Sequence, residues 1–321
     1  MKPGTDPLLM LRRLVAAGVS LSGSYRPLHA LASRLFGGFV LAFHDIEVDR
    51  FRELVCALRP SEPVHLGELV GRLERGASTK GLFAITVDDG VRDTVQSLSA
   101  VASLMQWPVT FFLPTRYLDT SDGMPFQWLD KVLAVLPTGR LDLPSGEVLL
   151  RTDAERSRWT QRVRSLMRTR PVEEYEPLIQ ELVNYAVDKE WMSRQRDRPP
   201  SPISWEEVTK LSSDPAIRFE SHGVTHTAVS ALSAERLAWE LRESQQKISQ
   251  CTNRACRHFC YPYGDPESIG DVAPGLVATY YDSAVTMSRG RVERRDRFLM
   301  PRIPIYSRDN PAVTRLKVVT V

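Results

Sequence analysis

Leu82-Phe83-Ala84-Ile85-Thr86-Val87-Asp88-Asp89-Gly90 carries six apolar or β-branched residues straight into two adjacent carboxylates and a glycine. A short apolar run closed by turn residues reads as a buried strand. The form recurs along the chain. Residues 39–43 end at His44, and 108–113 form another strand-like run. Residues 217–220 end at Ser221-His222, and 257–261 run into the sharp turn Pro262-Tyr263-Gly264-Asp265-Pro266. Helical spacing fills 49–58, 66–75, 91–105 and 234–250, the last opened by a Ser233 cap with Arg236 where a capping box would place Glu. Strand, helix and strand in alternation imply parallel pairing and an α/β fold. In barrels of parallel strands the C-terminal ends share one face, so His44, Asp88 and His222 are expected to converge there.

Residues 117–203 break the rhythm. They are Pro-flanked, rich in Arg and Glu and helical in spacing, with Trp128, Trp159 and Trp191 as large apolar anchors. The expected organisation is an N-terminal helical segment over 1–38 and a barrel over 39–321 that carries this stretch as a helical insertion.

The 321 residues are 42% hydrophobic and 25% charged, enough to bury a large core. The net charge is only +3 with the basic residues scattered, which argues against nucleic acid as a partner. Four cysteines do not make a disulfide framework, and the spacing of Cys251, Cys256 and Cys260 around His258 fits no common zinc knuckle, so all read as reduced thiols. Arg12 and Arg13 interrupt the apolar stretch near the N-terminus, which leaves no export signal or membrane span and makes a cytoplasmic protein the expectation. Residues 8–21 fit either a helix lying on a membrane surface, a peripheral contact, or one packed on the protein's own core. The sequence leaves the oligomeric state open.

Two carboxylates buried together cost several kcal/mol unless a cation compensates. Asp88-Asp89 therefore reads as a metal site or, taken alone, as an ordinary turn. Ser221-His222-Gly223-Val224-Thr225-His226 sets two imidazoles four residues apart, a spacing that on a helix or compact turn lets both nitrogens reach one zinc ion. The chain has six histidines, and two fall here. Phe259-Cys260-Tyr261-Pro262-Tyr263-Gly264 alone reads as core plus turn.

Taken together and in this order, the Asp pair, the His-x-x-x-His and the aromatic Pro-Tyr-Gly resemble the polysaccharide deacetylase family of carbohydrate esterases, the NodB-homology type. The likeness covers roughly 41–113 and 204–305 and leaves out the insertion. It implies a distorted (β/α)7-type barrel of parallel strands and a bound divalent metal, most often zinc. Carried over by motif, Asp89, His222 and His226 hold the metal and Asp88 is the general base. The Tyr263 N–H stabilises the oxyanion.

Two features depart from the family pattern. No histidine follows His258 to act as the late general acid; His44 resembles that element moved to the front, as in a rearranged subgroup acting on exported glucosamine polymers. Cys260 stands where an arginine usually orients the base, and Arg302 resembles a late arginine able to take over that task. Asp45 either steers His44 or is a solvated carboxylate. Tyr261, Trp128 and Arg116 are the candidates for sugar contact, by stacking or hydrogen bonding, against ordinary packing or solvation. The implied activity is metal-dependent removal of N-acetyl groups from an amino sugar in a glycan, oligosaccharide or lipid-linked sugar. An O-acetyl esterase or non-sugar amidase using the same metal, and an inactive glycan-binding scaffold, are the rival readings.

Overall fold

The computed structural model describes residues 26–120 and 122–321. Residues 8–21, read above as an amphipathic stretch, lie outside them. In chain order the strands are β1 Phe39–Phe43, β2 Glu62–Pro63, β3 Leu82–Val87, β4 Val109–Leu113, β5 Gly139–Leu143, β6 Gly146–Leu150, β7 Ile217–Ser221, β8 His258–Cys260, β9 Ser283–Val285 and β10 Ile303–Pro304. Seven of them form one sheet in the order β10-β1-β3-β4-β7-β8-β9, every pair parallel, with β2 alongside the start of β3. A parallel bridge from Val285 to Met300 ties β9 to the segment leading into β10, so the two edges of the sheet curl toward each other. This is the distorted barrel of parallel strands expected from the sequence.

Alternation along the strands divides the core in two. Phe39, Leu41 and Phe43 of β1, with Ile85, Val87, Phe111 and Phe219, pack against covering helices through Phe51, Leu54, Val95 and Leu98. Val40, Ala84, Phe112, Cys260 and Val285 from strands across the sheet, with Met300, pack inside the curl against Leu66, Leu69 and Val70 of the Leu66–Glu74 helix. The Arg26–Leu35 helix meets the C-terminal Pro311–Val319 helix through Ala32 and Val319. No helix among the described residues is long and apolar enough to cross a membrane.

The insertion leaves the barrel after β4 and returns where Ile203 N donates to Gly90 O at 2.9 Å. Its helices Pro125–Val135, Asp153–Thr169 and Val172–Asp188 share a core of their own, with Trp128, Leu129, Ile179 and Leu182 fully or almost fully buried. The insertion is helical as expected and carries one further element, since β5 and β6 form an antiparallel hairpin, Gly139 opposite Leu150 and Leu143 opposite Gly146. Leu141, Leu143 and Leu150 turn inward from it while their neighbours stay exposed, a period of two that Arg-rich helical spacing on either side obscures.

Candidate active site

Parallel register carries the chemistry to one end of the sheet. Phe43 pairs with Val87 and Leu113 with Ser221, so the residues that follow each strand emerge side by side. The ladder runs one step further: Asp88 N donates to Phe43 O, and His222 N to Leu113 O, each at 3.0 Å. A side chain at Gly90 would be strained, since its φ is 65° and a Cβ would come 2.7 Å from Leu113 Cδ2, which would have to move.

Asp88 is buried and clamped by the fully buried Arg302, Nη1 to Oδ1 at 2.8 Å and Nη2 to Oδ2 at 2.7 Å. The same guanidinium donates to Thr286 O and Thr86 Oγ1 and lies 3.1 Å from Cys260 Sγ. Arg302 thus fills the space beside Cys260, the position without the motif arginine. Burial pushes the Asp88 carboxyl up, but the bidentate arginine more than offsets it and holds Asp88 well below the usual carboxylate range. His44 Nε2 lies 3.6 Å from Asp88 Oδ2, with its ring 44% exposed. Asp45 does not steer that ring by any hydrogen bond; its Oδ1 accepts from Thr94 Oγ1 at 3.2 Å.

Asp89 Oδ1 lies 3.7 Å from His222 Nε2 and 3.4 Å from His226 Nε2. Three ligands each 2.0–2.1 Å from one tetrahedral zinc stand roughly 3.4 Å apart, so the donor set fits such an ion. The ring chemistry fits as well. His222 Nδ1 lies 2.7 Å from Cys260 O, and a carbonyl can only accept, so Nδ1 carries the proton and Nε2 keeps its lone pair for the shared point. Burial, aided by the neighbouring His226, pushes His222 down to about 4, which favours the neutral imidazole that metals bind. Asp88, His222 and Cys260 also lie close together. That second group suits a cation poorly, because Arg302 already holds Asp88 and burial pushes the Cys260 thiol well up.

His222 and His226 sit on a compact turn, not a helix. Gly223 and His226 both have positive φ, 78° and 57°. Glu240, buried on the Ala234–Thr252 helix, holds that turn: its carboxylate accepts from Val224 N at 2.6 Å, Thr225 N at 3.0 Å and Thr225 Oγ1 at 2.6 Å. Asp89 and Tyr263 are left-handed too, at 72° and 62°. Non-glycine residues in that region cost about 1–3 kcal/mol each and persist where surrounding contacts hold them. Three such residues meet around one point.

A family model described as polysaccharide deacetylase matches residues 75–271, well over half of the chain. The chain belongs to the polysaccharide deacetylase family. It is similar in fold to Streptococcus pyogenes deacetylase PplD in complex with acetate, at TM-score 0.57 and 12% identity over 88% of this chain and 98% of that one. IcaB from Ammonifex degensii gives 0.56 at 12% identity, covering 88% of this chain and 97% of that one. A de-N-acetylase from Aggregatibacter actinomycetemcomitans gives 0.54 at 12%, covering 87% and 99%. No curated protein matches. The matched span includes Asp88, Asp89, His222, His226 and Tyr263; His44 and Arg302 lie outside it and arrive through β1 and β10.

In this deacetylase a cavity of about 550 Å³ opens over the cluster, bounded by His44, Asp89, His226 and Tyr263 on the barrel side. Of the three residues expected to touch sugar, Trp128 and Arg116 do not line the cavity and Tyr261 does. Trp128 is 1% exposed within the insertion core, where its ring packs on apolar neighbours; Phe126, two residues earlier, reaches the cavity and His226 instead. Arg116 lies outside the cavity and pairs with Glu176 at 2.8 Å. Tyr261 borders the cavity but is fully buried, and its hydroxyl donates to Phe298 O at 2.9 Å. Sequence reasoning missed Glu240 and Phe126, and it left the Arg-rich stretch 151–170, from which Arg164 and Arg168 face the cavity, open between a lid over substrate and an oligomer contact.

Proposed function

We propose that this deacetylase removes the N-acetyl group from an amino sugar of a glycan, oligosaccharide or lipid-linked sugar, and that it needs a divalent cation, zinc by the chemistry of its donors. The observation that carries this reading is the meeting of Asp89 Oδ1, His222 Nε2 and His226 Nε2 within 4.8 Å of one another, close enough to share one ion, beside a carboxylate, Asp88, already committed to an arginine. Asp89, His222 and His226 would hold the ion. When bound, it supplies Lewis-acid polarisation of the acetyl carbonyl and lowers the pKa of water.

Asp88 takes the proton of the attacking water. Clamped by Arg302 it is a weak base held in a fixed position, and that position counts for more than basicity. The clamp also disfavours keeping that proton. His44, 3.6 Å away at the mouth, is placed to deliver a proton to the departing nitrogen, a step an amine requires and an ester alkoxide requires less. The backbone N–H of Tyr263 has no acceptor among the described residues and serves the oxyanion.

The test is acetate release from N-acetylated amino-sugar oligomers by the full chain. Chelation should abolish it and zinc restore it. Asp88→Asn should retain zinc and lose about 10²–10⁴-fold in rate. His44→Ala should slow the amide far more than an O-acetyl ester of the same sugar. Full activity in Asp88→Asn removes the proposed base, and indifference to chelation removes the metal.

A further inference from the structure

Half of the cavity's lining comes from the insertion, chiefly one face of the Asp153–Thr169 helix. Gln161, Arg164 and Arg168 stand on that face at spacings of three and four residues, which puts them in one row. The row is fixed from behind, since Val163 and Met167 of the same helix are buried in the insertion core. It is fixed from in front as well. Arg168 Nη1 donates to Asp265 Oδ2 at 3.1 Å, its guanidinium lies 5.6 Å from the Tyr263 ring centroid, and Asp265 Oδ1 caps Ser268 N at 3.1 Å. Arg164 Nη2 donates to Asp130 Oδ1 at 2.8 Å. Phe126, at the start of the Pro125–Val135 helix, packs on His226 with ring centroids 5.3 Å apart. The insertion therefore touches both the His turn and the Pro-Tyr-Gly turn.

Each guanidinium spends one of its five N–H groups on a carboxylate and makes no other hydrogen bond among the described residues. The pairs Arg164–Asp130 and Arg168–Asp265 thus offer donors and acceptors side by side, the arrangement that suits sugar hydroxyls, which do both. They are also neutral in sum, and Glu267 adds a further carboxylate to the rim. A phosphate or uronate seated there would meet the Asp130 and Glu267 carboxylates. A cavity of about 550 Å³ exceeds what an acetamido group occupies and falls in the range that takes a whole small ligand.

We propose that the insertion is the glycan-binding wall of this site: Arg164 and Arg168, with Gln161, bind uncharged sugar residues adjoining the one that loses its acetyl group. This rests on the deacetylase function proposed above. The enzyme accordingly prefers a chain of several sugars to a single N-acetylated sugar, and the arginines set that preference.

Binding is measured without turnover, on zinc-loaded full chain carrying Asp88→Asn, with N-acetylglucosamine oligomers of one to five units. Affinity should rise tenfold or more from monomer to tetramer. With Arg164→Ala and Arg168→Ala added, that gain should shrink below about threefold while the melting temperature stays near that of the parent, because both side chains are half exposed. A chain-length gain that survives both replacements overturns the wall. So does affinity that is flat with length or absent at millimolar oligomer, and tighter binding of an oligomer bearing uronic acid overturns the uncharged class. If oligomers bind with the expected length dependence but the parent chain releases no acetate, the proposed activity fails and the wall stands.

Discussion

At the scale of single residues the centre depends on side chains that never meet substrate. Glu240 is the clearest case. Its buried carboxylate gathers Val224 N, Thr225 N and Thr225 Oγ1, and so fixes the turn in which His226 adopts φ 57°. Removing it strands two backbone N–H groups, each costing about 1–3 kcal/mol when buried and unpaired. Glu240→Ala is expected to weaken zinc binding about 10–100-fold, the usual penalty for losing a group that orients a ligand. Glu240→Gln, which retains one acceptor oxygen for both N–H groups, should recover most of it. Chelator competition beside a melting curve separates this from a general loss of fold. Zinc affinity unchanged in a folded Glu240→Ala would end the positioning role. In the sequence, Glu240 is one more polar position on an amphipathic helix, and only the packing of that helix against β7 brings it under the His turn.

Among the elements, β7 carries a charge in an unusual state. Glu220 is 4% exposed, and its carboxylate accepts from Arg257 N at 2.7 Å and His258 N at 2.8 Å, joining β7 to the start of β8. Burial pushes its carboxyl from 4.5 to about 7, against the opposing pull of those N–H groups. The unfolded chain releases this proton near pH 4.5 and the folded chain only near 7. Below the first value both states are protonated and the group is neutral for stability. Between the two, the folded state alone keeps its proton and stability falls as pH rises, by roughly 3 kcal/mol in total. Glu220→Gln, which cannot ionise and still offers an oxygen to both N–H groups, should raise the melting temperature at pH 8 and leave it near the parent's at pH 4.5. A difference that does not change with pH would contradict the assignment.

The same scale explains what was legible beforehand. Strands β1, β3 and β4 are five- and six-residue, mostly apolar runs buried along almost their whole length, and β7 alternates apolar Ile217 and Phe219 with Arg218 and Glu220, so the sequence marks all four. Strands β2, β9 and β10 have two or three residues each, too few for any periodicity, and are strands only because a neighbour supplies the ladder. The Asp and His pairs stand at strand ends where their motifs place them. Trp128 misled because a tryptophan after the third strand looks the same from sequence whether it faces a cavity or the core of an insertion. Arg302 was visible as a late arginine, but its clamp on Asp88 follows from β10 lying beside β1, a pairing across more than 250 residues.

For the whole molecule the question is how an insertion with its own core acts on a site built by the barrel. The three donors Asp89, His222 and His226 follow β3 and β7, and the barrel cluster that holds those strands is separate from the insertion cluster around Leu182 and Ile179. Away from the chain junctions at Leu118 and Ile203, the two parts meet through the ion pairs Arg168–Asp265, Arg116–Glu176 and Arg236–Glu173 and through Phe126 on His226. A cavity cut in one core should therefore be felt unequally. Leu182→Ala, at a fully buried position, should cost about 2–5 kcal/mol within the insertion. It should loosen the wall of the cavity, lowering acetate release from oligomers severalfold or more. Zinc affinity, set by the barrel, should stay within about threefold. Hydrogen exchange read by region would show protection lost in the Val172–Asp188 helix and kept in β3 and β7. If protection in β3 falls in step and zinc affinity drops with it, barrel and insertion unfold as one unit, and the insertion supports the metal donors as well as bounding the cavity above them.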